Sequence, residues 1–283
     1  MLQPTAAAPP TTTDAALIAF IHINKCGGTS VAAALQSCDL PDSRFADRVV
    51  EAAGGLHHHT LRDYALMNPA RDVSSLLTFA IVRDPYARMV SLYYYELARC
   101  TAQRTDYNCY ELPSQSELPS PSELGANASA MVPFFQWWLH RLDARYPVGS
   151  ADARLFTGMR DRREGPRRDA SQTAWLEDEA GNVPRGLLLL TLNETLDAQW
   201  ERFTAATLPQ CTGVALPHEK SSGSHFVSTT EHFEGDGGVA ARILEAHVAR
   251  DFGPPLRFSR LAQQRARPRV EAGFWWKGEG PRE

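Results

Sequence analysis

The stretch FIHINKCGGTS, Phe20 to Ser30, ends an apolar run with a lysine, two glycines and two hydroxyl residues. These are residue types that hold a bulky anion. Gly27 and Gly28 let a backbone approach a ligand closely. N–H groups at a helix N-terminus, from Cys26 onward, point outward, where the helix dipole favours negative charge. Lys25 adds a compact cation, and Thr29 and Ser30 add hydroxyl donors. The plainer alternative is a glycine turn beside a solvated lysine. A nucleotide triphosphatase loop would read GxxxxGK[ST], with its lysine after the glycines. Here Lys25 precedes them.

A second candidate lies at Arg83-Asp84-Pro85, where another apolar run stops. An arginine there can make a forked contact with a phosphate. Ser91, two helical turns on, can lend a hydroxyl. The alternative is a surface ion pair between Arg83 and Asp84. No acidic strand end suited to a magnesium ion stands out.

The elements that must position these residues follow from the apolar pattern. Ala16 to Ile23 and Ser75 to Val82 read as buried strands. A helix is expected after the glycines. Asp84 suits an N-cap and Pro85 a first helical turn, opening a helix through YARMVSLYYYELA. A strand, a polar junction and a helix thus occur twice, which argues for an α/β fold with a parallel sheet. Gly186 to Leu192 reads as a third strand and DAQWERFTAATL as the helix after it. Met131 to Tyr146 reads as an amphipathic helix with Phe134, Trp137 and Trp138 in the core. VAARILEAHVARDF reads as a last helix. The expectation is a single domain over residues 16–260, after a disordered lead-in at 1–15 and before a tail at 261–283.

Composition bounds the function. The chain has 283 residues, 43% of them hydrophobic and 22% charged, with a net charge of −4. That balance gives no nucleic-acid signature. No run approaches the ~20 apolar residues of a membrane span. The N-terminus lacks the basic start and apolar centre of a signal peptide, so the chain reads as soluble, with any anchor absent or removed. Cys100 and Cys109 lie in one polar loop and are expected to bridge in an oxidising compartment. Cys26, Cys38 and Cys211 are scattered, and no CxxC pair suggests zinc. Two glycosylation triplets occur, at Asn127 and Asn193.

HINKCGGTS followed by VRDPYARMVSLYY resembles the carbohydrate sulfotransferase family, whose members read close to F-I-H-I-P-K-T-G-G-T-S and V-R-D/N-P-Y-x-R-x-x-S-x-Y. PFFQWWL, SQTAWLEDEAG, LLLLTLNETL and the segment ending VARDF resemble later parts of the family more weakly. The resemblance implies a P-loop-like, three-layer fold with a central parallel sheet flanked by helices. It also implies use of 3′-phosphoadenosine 5′-phosphosulfate and no metal. The loop Lys25, Cys26, Gly27, Gly28, Thr29 and Ser30 would then bind the 5′-phosphosulfate, with Lys25 near the bridging oxygen. Arg83 and Ser91 would bind the 3′-phosphate. Asn24 stands where the family has proline and is expected only to loosen the backbone. Cys26 stands where it has threonine and is expected to keep its backbone N–H for the anion. Compartment follows by resemblance too: the Golgi lumen or secretory pathway, as a glycoprotein.

Sulfuryl transfer to a hydroxyl needs a base, and a side chain titrating near neutrality suits the task. GGLHHHTLRDY offers His57, His58 and His59. Resemblance to heparan sulfate 2-O-sulfotransferases, whose base precedes a helix between the two phosphate motifs, selects His58, with His57 and His59 left open. TLRDY reads as the start of that helix, and Glu51 and Asp63 are the nearest carboxylates. The basic loop with Arg160, Arg162, Arg163, Arg167 and Arg168 either contacts an anionic glycan or is solvated. The expected partner is a glycan or another hydroxyl acceptor. The competing readings are a P-loop kinase and an inactive glycan- or nucleotide-binding protein of the same fold.

Overall fold

A computed structural model of the chain describes residues 17–38, 40, 58–67, 69, 72, 75–102, 112–113, 116–119, 127–150, 153, 171–217 and 228–260. Strands β1 (Ile18–Ile21), β2 (Leu77–Val82) and β3 (Leu188–Thr191) form a parallel sheet in the order β1-β2-β3. Ile18 lies opposite Leu77, and Phe79 opposite Leu188. The strands are the three expected from the sequence, β1 and β3 trimmed at both ends and β2 at its start. Their continuous apolar runs suit a sheet covered on both faces, and parallel neighbours require the long crossovers that the helices supply.

Helix α1 (Gly28–Gln36) follows β1, and α2 (Leu61–Met67) precedes β2. Helix α3 (Pro85–Ala102) follows β2. Its N-terminus is capped as expected, with Asp84 Oδ1 accepting from Ala87 N at 2.9 Å. Then come α4 (Val132–Arg145), the single turn α5 (Gln172–Trp175), α6 (Leu196–Thr207), α7 (Thr229–Glu234) and α8 (Val239–His247). The last helix stops at His247, and residues Ala249–Phe252 turn as 3-10 helix instead of continuing it.

Two apolar clusters hold these elements. The sheet cluster packs β1 and β2, Phe79 among them, against Trp175, Trp200 and Phe203. The helical cluster joins Tyr86 and Tyr93 of α3 to Phe135, Trp138 and Leu139 of α4 and Leu244 of α8. Trp137 departs from expectation. It is 40% exposed, because a 3.6-residue period that buries Trp138 turns its neighbour outward. Arg141, one turn on, covers the Trp137 ring at 4.9 Å.

The cysteines pair in a way that spacing could not reveal. Cys38, just beyond α1, forms a disulfide with Cys211, 173 residues away. Cys100 is disulfide-bonded, and Cys109 lies outside the described residues. Among the described residues, Cys26 is a free thiol. Among the described residues, no helix is long and apolar enough to cross a membrane, and no group of side chains is arranged to hold a metal ion.

Candidate active site

The C-terminal ends of three parallel strands open on one edge of the sheet, the usual place for a ligand in such folds. β1 delivers the loop His22 to Gly27, β2 delivers Arg83, and β3 delivers Leu192. The loop is wound tightly. Lys25 has φ 60° and Gly27 φ 81°, left-handed values that cost a side-chain-bearing residue energy and are natural for glycine. A Cβ on Gly28 would lie 1.8 Å from His22 Cδ2, so helix α1 can begin there only without a side chain. Ser30 N and Val31 N donate to Gly27 O. Among the described residues, no carbonyl accepts from the N–H groups of Gly27, Gly28 or Thr29. Those N–H groups, with the half-buried Thr29 and Ser30, lie at a helix N-terminus, a position suited to an anion.

Cys26 turns inward. Its N–H donates to Ile23 O at 3.3 Å, and its thiol to Gln172 Oε1 at 3.3 Å. Burial pushes the thiol up to about 11, so it stays protonated and unreactive. Asn24 does more than loosen the loop, contrary to expectation. Arg88, itself buried, donates from Nε to Asn24 O at 3.1 Å and from both Nε and Nη2 to Asn24 Oδ1. Proline could not supply that side-chain acceptor. The asparagine ties the loop to the second turn of α3.

Arg83 meets the loop from the other side. Its Nη1 donates to Lys25 O at 3.2 Å. Its backbone is gripped at both ends by one side chain: Arg83 N donates to Gln172 Oε1 at 2.9 Å, and Gln172 Nε2 donates to Arg83 O at 2.7 Å. Burial lowers the pKa of Arg83, opposed by Cys26 and Asp84, and the guanidinium remains a cation near neutrality. Ser91 points inward from α3 and is 6% exposed. The Lys25 ammonium stands 4.1 Å from the centroid of the Tyr95 ring, also on α3.

Gln172 is itself held by a buried carboxylate. Asp251 accepts from Gln172 N at 3.0 Å, from Ser171 Oγ at 2.7 Å, and from Thr173 N and Oγ1 at 2.9 and 3.0 Å. Surrounded by donors, it fixes the one-turn helix α5 against the end of β2.

At its other end, α5 reaches the histidines. Trp175 meets the His58 ring edge-on at 6.3 Å. His58 Nδ1 lies 2.8 Å from His22 O, and the His22 and His58 rings lie tilted at 34° with centroids 4.1 Å apart. A carbonyl can only accept, so Nδ1 carries the proton and Nε2 is the basic nitrogen. His59 packs on Tyr64 at 5.8 Å instead. Helix α2 begins after them, as expected. Its cap uses Asp63, whose Oδ2 accepts from Thr60 N and Oγ1, both at 2.8 Å. His57, Glu51 and the arginines of the basic loop lie outside the described residues.

The sequence thus brings Lys25, the glycines, Arg83 and His58 to one strand edge. It did not assign Arg88, Gln172, Asp251 or Tyr95. Arg88 sits at a motif position, which was its signal. The other three take their meaning from contacts across the fold.

A parallel sheet thus carries a glycine turn, basic side chains and an oriented imidazole at its strand ends, an arrangement suited to an anionic ligand. The chain belongs to the sulfotransferase family, whose model matches residues 11–156. That span holds both motifs and the histidines, while Gln172 and Asp251 lie beyond it. A search of the curated proteins and another of the solved structures found no match.

Proposed function

We propose that this chain moves the sulfuryl group of 3′-phosphoadenosine 5′-phosphosulfate to a hydroxyl of a carbohydrate acceptor, on a P-loop-like site and with His58 as general base. The observation that carries this reading is the 2.8 Å bond between His58 Nδ1 and His22 O. It joins the imidazole directly to the anion loop and makes Nε2 its proton acceptor.

The residues fit the cosubstrate. The N–H groups of Gly27, Gly28 and Thr29 take the 5′-phosphosulfate, and a side chain at Gly28 would fill that cradle. Arg83 and Ser91 take the 3′-phosphate. His58 Nε2 receives the acceptor's proton as its oxygen bonds to sulfur. As the bond from sulfur to the bridging oxygen breaks, Lys25 and the loop N–H groups stabilise the charge gathering on the departing phosphate. Such in-line transfers depend mainly on positioning and electrostatics.

The Cys38–Cys211 disulfide supports a secretory, Golgi-type location, since such bonds persist in oxidising compartments. Both triplet asparagines, Asn127 and Asn193, are exposed, as glycosylation requires. The test is transfer of radiolabelled sulfate from the cosubstrate across a panel of glycans. Labelling of a glycan hydroxyl is expected. Nucleotide binding without transfer would mark an inactive binder, and phosphate transfer from ATP a kinase.

A further inference from the structure

Beyond the loop, three segments distant in sequence converge on one buried carboxylate. The side chain of Glu177 is 3% exposed and pairs with Arg62 Nη2 at 3.6 Å and with Arg250 Nη2. The two arginines keep 48% and 51% of their side chains in solvent. Arg62 also donates from Nε to Asp178 O at 2.9 Å. A guanidinium carries five N–H donors in a planar fork, so these contacts leave donors on both half-exposed groups.

One arginine suffices to neutralise a buried carboxylate. A second adds a like charge at the same place, and the two cations repel across their shared partner. An anion arriving from solvent and bridging them would complete an alternating arrangement of charge, with forked contacts on both sides. The cluster also borders the reacting side of the site. Glu177 follows Trp175, which meets His58. Arg62 is in the first turn of α2, just after His58. Arg250 adjoins Asp251, which anchors α5.

We infer that Arg62 and Arg250 form a subsite for an anionic group of the acceptor, a uronate carboxylate or a sulfate ester, with Glu177 holding the two forks in place. The inference deepens the sulfotransferase reading and rests on it for the word acceptor. The substrate class is then an anionic glycan.

The test is titration in the presence of 3′-phosphoadenosine 5′-phosphate, with no chemistry required. The probes are a hexasaccharide of alternating glucuronic acid and N-acetylglucosamine, its carboxyl-reduced form, and that reduced form chemically sulfated. At least one anionic probe should bind roughly tenfold more tightly than the neutral one, the scale of one charge-assisted hydrogen bond. Arg62→Gln and Arg250→Gln should each erase that preference, leaving affinity for the neutral probe and the nucleotide in place. The anionic probe that loses more identifies the group. Should the glutamine variants not fold, Arg62→Lys keeps the charge on Glu177 and removes the fork, and it should weaken the anionic probes selectively. Equal binding of all three probes by the unaltered protein overturns the subsite, as does an equal loss for all three in the variants. Charge-selective binding without sulfate transfer to any glycan would keep the subsite and reject the sulfotransferase reading. Transfer with no charge preference would do the reverse.

Discussion

As the proposed base, His58 would act through a single proton, so its removal has a specific signature. The His22 carbonyl fixes Nδ1–H, and only the neutral ring can accept at Nε2. Replacing His58 with alanine should lower kcat by about 10²–10⁴, the usual yield of general-base catalysis. The acidic limb of the pH–rate profile should vanish with it, because that limb reports protonation of the base. Affinity for the product nucleotide, measured by titration, should barely move. Full turnover in His58→Ala would exclude it as the base. Lys25 is a different case, since its proposed role is to stabilise charge. Its ammonium rests over Tyr95, a contact that holds a cation without quenching it. Lys25→Ala should cost about 10²-fold or more in kcat, the scale of one preorganised donor, and wild-type kcat in that variant would reject the loop's catalytic role. Lys25 and the run of three histidines were singled out in the sequence by type and local spacing alone. Resemblance favoured His58 among the three histidines and left His57 and His59 open. Of the two histidines among the described residues, His58 faces the loop carbonyl, while His59 packs on Tyr64.

The short turn α5 shows what local pattern cannot carry. Four residues, Gln172–Trp175, make no helix on their own. They stand because Asp251, about eighty positions on, collects their donors. In return Gln172 clamps both backbone groups of Arg83 and the thiol of Cys26. Gln172→Ala should leave Arg83 N–H and C=O short of partners at the end of β2, costing about 1–3 kcal/mol of stability. A fall in the urea midpoint at constant slope would measure it. Gln172→Glu restores the acceptor toward Arg83 N and the thiol but not the donor, so it should recover nucleotide affinity only in part. Equal affinity in all three forms would show that the clamp does not position the arginine. Helix α7 is anchored by a second long-range device. His232 is fully buried, with Nδ1 3.0 Å from Ser228 O and Nε2 3.1 Å from the Tyr94 hydroxyl. Burial lowers its pKa below the ordinary 6.5, with Ser228 and Glu231 opposing. The unfolded chain therefore binds the proton more readily. The contribution to stability is complete above the unfolded value and is lost as pH falls through the folded one. The melting temperature should drop on acidification below about 6.5, less so in His232→Gln. Identical profiles would remove His232 from the account. Both devices join residues too far apart in sequence for periodicity to register, whereas the strands and the Asp84 cap were readable because their signals are local.

At the scale of the whole molecule, the Cys38–Cys211 bond ties the far end of α1 to the turn after α6 and buries itself in the sheet cluster. Sequence gave no sign of it, because a separation of 173 residues carries no spacing signal. That same separation makes it effective. In the chain-entropy model a loop of this size restricts the unfolded ensemble by about 5 kcal/mol. Replacing both cysteines with alanine should therefore lower the melting temperature by roughly 10–20 °C for a chain of this size. The anion loop should be spared. Helix α1 has nine residues, so the bond lies about 13 Å from the glycine cradle, and the cradle is held at its own end by Arg88, Arg83 and His58. Nucleotide affinity of the double variant, measured well below its melting point, should match that of the intact protein. A lost affinity at unchanged melting temperature would mean that the disulfide orients α1 for binding and adds nothing to stability, the opposite of this assignment. Differential scanning calorimetry and nucleotide titration on the same two samples decide between them.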